Sequence, residues 1–192
     1  MTATTASAQD LTERLLHLLA KHSLRRGEFV LASGVKSNYY IDARLTTMRP
    51  EGLTTIARLA LTRMGEVGWR PDAVGGLTLG ADPIAYAIAF ESMVSGRPVR
   101  AFTVRKEAKS HGTQQLIEGP LAHSDHVVVV EDVLTTGGSA LRAVDAVRSF
   151  GATVLGVLAV VDREQGGVEN LTSAGLPSAC LVRVSQVLAQ TS

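Results

Sequence analysis

Hydrophobic and polar positions change period several times along this chain, and those changes divide it into elements. Leu11, Leu15, Leu18 and Leu19 recur at helical spacing, which predicts an amphipathic helix over 10–22 capped near Asp10. Aromatic and β-branched runs at 29–31 and 39–41, joined by the turn-forming residues 33–37, predict a hairpin. Pro50 and Glu51 open a second helical pattern that runs to about Val67, and Pro71 closes the unit. Strand patterns then follow at 73–76, 99–104, 127 onward, 153–161 and 179–184. Helical patterns at 82–95, 138–150 and 168–174 separate them, and 106–120 has no clear period. This alternation predicts an α/β fold, a doubly wound parallel sheet with helices on both faces. Ligands in such sheets gather at the carboxyl ends of the strands.

Composition narrows the class. A chain of 192 residues with 45% hydrophobic content suits one α/β domain. A net charge of +1 gives no reason to expect nucleic acid or an anionic membrane as partner. Cys180, the sole cysteine, sits in an apolar run and reads as a small core residue; an intrachain disulfide is excluded. No apolar run approaches the roughly eighteen residues of a membrane span. Residues 1–9 are small and polar, unlike a signal peptide, and read as a disordered lead-in. The expectation is a soluble, cytoplasmic, single-domain protein.

The segment 126–146, HVVVVEDVLTTGGSALRAVDA, carries the most chemistry. A buried valine strand meets two acids, Glu131 and Asp132, then Thr135, Thr136, Gly137, Gly138 and Ser139 at a helix start. Loop amides and a helix N-terminus favour a phosphate dianion. The acids would repel that anion, so they suit ribose hydroxyls or a hydrated Mg²⁺. No lysine follows Gly138, so this is not a P-loop, and the G-x-G-x-x-G dinucleotide pattern is missing too. The alternative is an ordinary strand–turn–helix junction with solvated acids. A second constellation, Arg105, Lys106, Lys109 and His111, lies in an irregular stretch with Gly112 as a hinge. A long loop without regular structure is usually a lid or a binding loop, and cations suit pyrophosphate. A solvated surface loop is the alternative here.

The acid–acid–x–x–Thr–x–Gly order resembles the 5-phosphoribosyl pyrophosphate (PRPP) signature of the type I phosphoribosyltransferases. The lysine–histidine loop one strand earlier resembles the catalytic loop of the orotate phosphoribosyltransferases. Segments 28–44 (EFVLASGVKSNYYIDAR), 74–85 (VGGLTLGADPIA) and 160–166 (VVDREQG) are similar to that family's hairpin, pyrophosphate loop and arginine segment, so the match runs from Gly27 to about Gly167. The resemblance implies transfer of 5-phosphoribose from PRPP to N1 of orotate. Glu131 and Asp132 would hold the ribose and the hydrated Mg²⁺, which has no direct protein ligand. Val133, Leu134 and the loop from Thr135 to Ser139 would wrap the 5′-phosphate. Lys106, Lys109 and His111, with Arg105, would close over pyrophosphate, and Lys106, Lys109, His111 and Asp132 would be the catalytic residues. Arg163 would pair with orotate's carboxylate, with Thr135, Tyr39, Tyr40 and Lys36 nearby. It further implies a helix-and-hairpin hood (10–45) over a core (50–192), and a homodimer sharing its catalytic loops. Ala32 and Gly80 stand where some relatives carry lysine, and Ser110 where an acid is common. With glycine at 80, the amides of 78–81 would have to bind pyrophosphate as a nest. The same fold acting on another base, and a non-catalytic PRPP-binding regulator, are the competing readings.

Overall fold

A computed structural model describes residues 6–30, 36–107 and 116–190. Lys109, Ser110, His111, Gly112 and Ala32 lie outside the described residues, as does most of the turn expected at 33–37.

The first helix, α1 (Ala8–His22), starts earlier than expected. Ser7 is its cap: its Oγ accepts from the Asp10 amide, and its own amide donates to Asp10 Oδ2. Asp10 is therefore the third residue of a capping box, and part of the supposed lead-in is helical. Strands β1 (Leu24–Val30) and β2 (Lys36–Ile41) form an antiparallel two-stranded sheet longer than their apolar runs, because pairing extends past them. A four-residue helix, α2 (Arg44–Thr47), was not predicted; α3 (Pro50–Glu66) has proline in its first turn, as expected.

The remaining strands are β3 (Ala73–Leu77), β4 (Arg100–Val104), β5 (Ile117–Glu118), β6 (His126–Leu134), β7 (Thr153–Asp162) and β8 (Ser178–Arg183). Between and after them lie α4 (Ala81–Val94), α5 (Gly138–Phe150), α6 (Gly167–Ser173) and α7 (Val184–Ala189). The sheet runs β5-β4-β3-β6-β7-β8 and is parallel except for β5, a two-residue edge strand antiparallel to β4 inside the stretch that showed no period. Helices cover both faces. Val128 and Val130 pack with residues of α1, α3 and α4, while Val127 and Val129 pack with α5. A strand buried on both faces reads as an unbroken valine run for that reason. From β3 the chain runs outward to β4 and β5, then returns to the other side of β3 as β6. That reversal opens a crevice at the carboxyl ends of β3 and β6.

Glu131 and Asp132 do not end the strand. Glu131 pairs with Ala159, Val133 with Val161 and Leu134 with Asp162, so the acids belong to the sheet.

Candidate active site

The crevice is a cavity of about 330 Å³. Four strand ends and one segment of the hairpin region furnish its walls: Thr78, Leu79 and Gly80 after β3, Lys106 after β4, Glu131, Asp132, Val133 and Thr135 around the end of β6, Arg163 after β7, and Tyr40 to Arg44 from the end of β2 into α2. A second cavity of about 300 Å³ shares Glu131, Val133, Thr135 and Ser139 with it and adds Leu134, Thr136, Gly137 and Gly138. Gly137 has φ 84°, a left-handed turn that only glycine adopts without cost. It starts α5 with no side-chain cap, so the first amides of a 13-residue helix face this cavity. That is an anion cradle.

Successive strand residues face opposite ways, so the two acids divide the crevice between them. Asp132 shares the α4 side with Val130, and a Cβ placed on Gly80 would sit 2.6 Å from its Oδ1. The loop after β3 passes flush against this carboxylate, which explains glycine at 80: a lysine there would have to displace Asp132. The nest expected over 78–81 is shorter, because the Thr78 amide donates to the Val104 carbonyl. Glu131 faces the α5 side. It is buried, and its Oε2 has no hydrogen-bond partner among the described residues. Burial, then the negative charge of Asp132, pushes its pKa up to about 8. Folded protein thus holds a proton that unfolded chain releases near pH 4.5, so this group's contribution is fully present in acid and is lost as pH rises through about 8. Thermal melts between pH 5 and 8.5 should fall with pH, and Glu131→Gln should flatten that slope; identical slopes would show that Glu131 titrates normally.

Arg163 is 7% exposed, and its Nε and Nη2 have no partner among the described residues. Its backbone amide donates to the Leu134 carbonyl (2.9 Å), and the Tyr39 ring lies 5.3 Å from its guanidinium carbon. A buried guanidinium with two free N–H groups at a cavity wall is built for a planar anion such as a carboxylate. Beside it, Arg44 grips Asp42 in a fork of two 2.9 Å bonds. That pairing holds the Asp42 carboxyl below, and the Arg44 guanidinium above, their ordinary ranges.

Most of the predicted residues meet here, with some differences. Tyr40 lines the main cavity and its ring lies 5.7 Å from that of Phe29, whereas Tyr39 packs on the core beneath Arg163. Lys36 is not at this cavity; it lines a separate groove with Glu28 and Phe29. Arg105 and Lys106 share a neighbouring cavity of about 510 Å³ with Thr78 and Thr103. Arg105 Nη1 lies 3.4 Å from Glu118, with its Nε buried and unpartnered among the described residues. Asp42, Arg44 and Asp82 carry no expectation from the sequence, and Thr78 only one for its backbone amide, although all four sit inside the quoted segments. Their signal was position within those segments, since nothing in their spacing marks them.

The Phosphoribosyl transferase domain model matches residues 47–174. The orotate phosphoribosyltransferase of Aquifex aeolicus is 49% identical over 179 residues, covering 92% of this chain and 97% of that protein. That of Synechocystis is 47% identical over 184 residues, covering 95% and 91%. Among solved structures, the Mycobacterium tuberculosis orotate phosphoribosyltransferase in complex with PRPP is 40% identical with a TM-score of 0.76, covering 92% of this chain and 98% of that one. A Corynebacterium diphtheriae phosphoribosyltransferase superposes with a TM-score of 0.81 at 36% identity, over 92% and 98%. With this agreement over nearly its whole length, the chain belongs to the phosphoribosyltransferase family, in its orotate phosphoribosyltransferase branch.

Proposed function

We infer that this protein transfers 5-phosphoribose from PRPP to N1 of orotate, releasing pyrophosphate and forming orotidine 5′-monophosphate for pyrimidine biosynthesis. One observation carries the choice of base: Arg163 is buried, lines the crevice that also holds Asp132 and Thr135, and has its Nε and Nη2 unpartnered among the described residues. Neither uracil nor a purine base offers a carboxylate for it. The 5′-phosphate sits at the uncapped start of α5, between Thr135 and Ser139. Asp132 and Glu131 hold the ribose hydroxyls between those two walls. As the bond from C1 to pyrophosphate breaks, positive charge grows on the ribose ring and negative charge on the leaving group. N1 of orotate then bonds to C1 as its anion, so positioning and charge stabilisation do most of the work. Arg105 and Lys106 meet the leaving group, with Lys109 and His111 from the loop beyond them.

Oxygen donors at the end of β6, among them a Glu131 carboxyl oxygen with no partner among the described residues, fit a hydrated Mg²⁺. Asp132 and Glu131 would hold it through water, and when bound it neutralises diphosphate charge. Mixing PRPP, Mg²⁺ and orotate should bleach orotate's ultraviolet band, with uracil and hypoxanthine inert. Turnover of either control in place of orotate would reassign the base.

The active unit is a homodimer in the cytoplasm. Tyr86, Phe90, Met93 and Val94 are 56%, 74%, 65% and 71% exposed. Spaced by four, three and one along α4, they form one apolar face, which suits burial against a second copy. If the loop after Lys106 serves the partner's site, mixing Lys109→Ala with Asp132→Asn protein should restore activity through hybrid dimers. No recovery after verified subunit exchange would mean that each loop serves its own subunit.

A further inference from the structure

The outer face of α4 is joined to the loop after β3 by three hydrogen bonds. Thr78 Oγ1 donates to Asp82 Oδ2 (2.6 Å), and Thr103 Oγ1 donates to Asp82 Oδ1 (2.9 Å). Thr103 Oγ1 also lies 2.9 Å from the Tyr86 hydroxyl. A threonine has one hydroxyl hydrogen, and here Asp82 receives it, so Tyr86 is the donor in that third bond. The order of donation is therefore fixed from the surface inward: Tyr86 to Thr103, then Thr103 to Asp82, with Thr78 closing from the loop.

An acid beside a pyrophosphate loop is electrostatically adverse unless its charge is engaged. Both oxygens of Asp82 are engaged, each by a hydroxyl. The effect falls on Thr78, which lines both the main crevice and the neighbouring cavity of Arg105 and Lys106. Its backbone is pinned to β4 through the Val104 carbonyl (2.8 Å), and its side chain is pinned to Asp82. Fixed twice, Thr78 sets the direction of the next two peptide groups, those of Leu79 and Gly80. A helix start with an acid in its first turn needs no such network, since the macrodipole alone accounts for the acid. What the macrodipole leaves unexplained is the chain of hydroxyls from the loop to a tyrosine that is 56% exposed.

We propose that Asp82 is a positioning residue for PRPP, holding the loop after β3 through Thr78, and that Thr103 and Tyr86 extend this hold to the outer face of α4. This rests on the phosphoribosyl-transfer reading above, and the two fail differently. Wild-type protein inactive on orotate would sink that reading, while active wild type with indifferent variants would sink the relay alone.

The test uses Tyr86→Phe, Asp82→Asn and the double variant, with PRPP and orotate varied separately and Tm measured on each. Tyr86→Phe keeps the ring and removes one donor, so it should raise KM for PRPP about threefold. Asp82→Asn breaks the double acceptance and should raise it about tenfold, with KM for orotate unchanged in both. The double variant should match Asp82→Asn, because both changes act on one path. Unchanged KM for PRPP in both single variants would overturn the proposal. So would a parallel rise in both KM values with a fall in Tm, since that pattern marks a purely structural role at the start of α4.

Discussion

Lys106→Ala should lower kcat by on the order of 10²-fold or more while KM for PRPP changes little. Lys106 is exposed, lies at the meeting of the two cavities, and makes no ion pair among the described residues. Its backbone carbonyl accepts a 2.9 Å bond from Arg142 of α5, so the chain there is anchored while the ammonium stays free. A free cation over the leaving group meets charge that grows only as the C1–oxygen bond breaks. Interactions of that kind appear in kcat and little in ground-state binding. The measurement is steady-state kinetics of forward transfer. A rise in KM for PRPP with kcat intact would recast Lys106 as a ground-state phosphate contact.

Arg163→Met should raise KM for orotate by on the order of 10²-fold and weaken its preference over uracil. The physical reason lies in burial. A guanidinium that is 7% exposed, with its Nε and Nη2 unpartnered among the described residues, is poorly satisfied until an anion arrives. The same reasoning gives a second readout. Replacing an unpaired buried charge with an apolar side chain of similar length removes a desolvation cost, so Tm should hold or rise. A lysine substitution should not rescue orotate binding, because a point charge cannot reproduce the planar fork. A fall in Tm with KM for orotate unchanged would make Arg163 a structural residue stacked on Tyr39.

Much of this was legible in the sequence, and the reasons for the rest are specific. The valine run, the alternation of periods and the Thr135–Ser139 loop predicted the sheet, its direction and the phosphate cradle, because each depends on local pattern. The edge strand β5 escaped, since a two-residue antiparallel pairing is fixed by β4 and leaves no period of its own. The helices α2 and α7 escaped for the same reason: four and six residues are too few to display a face. The cap at Ser7 was misplaced because Asp10 is itself a good capping residue. Within the site, Arg163 was found through resemblance, whereas its burial and its missing partners are tertiary facts. Lys36 is the contrasting case. Chain proximity to Ala32 suggested that it could replace a missing charge, and the strand instead carries it to another groove. Asp42 and Arg44 went unnoticed because their fork forms only where the chain leaves β2 for α2.

The acids on β6 have a consequence for how this enzyme fails. They extend from a strand that pairs with β3 up to Val129 and with β7 up to Leu134 and has helices over both faces, so the stretch just before them is the position least prone to local opening. Backbone amides from Val127 to Val129, where β6 pairs with both β3 and β7, should therefore exchange with deuterium only as fast as the entire domain unfolds. Heat inactivation should then track global denaturation, with no earlier stage in which a folded but sugar-blind protein accumulates.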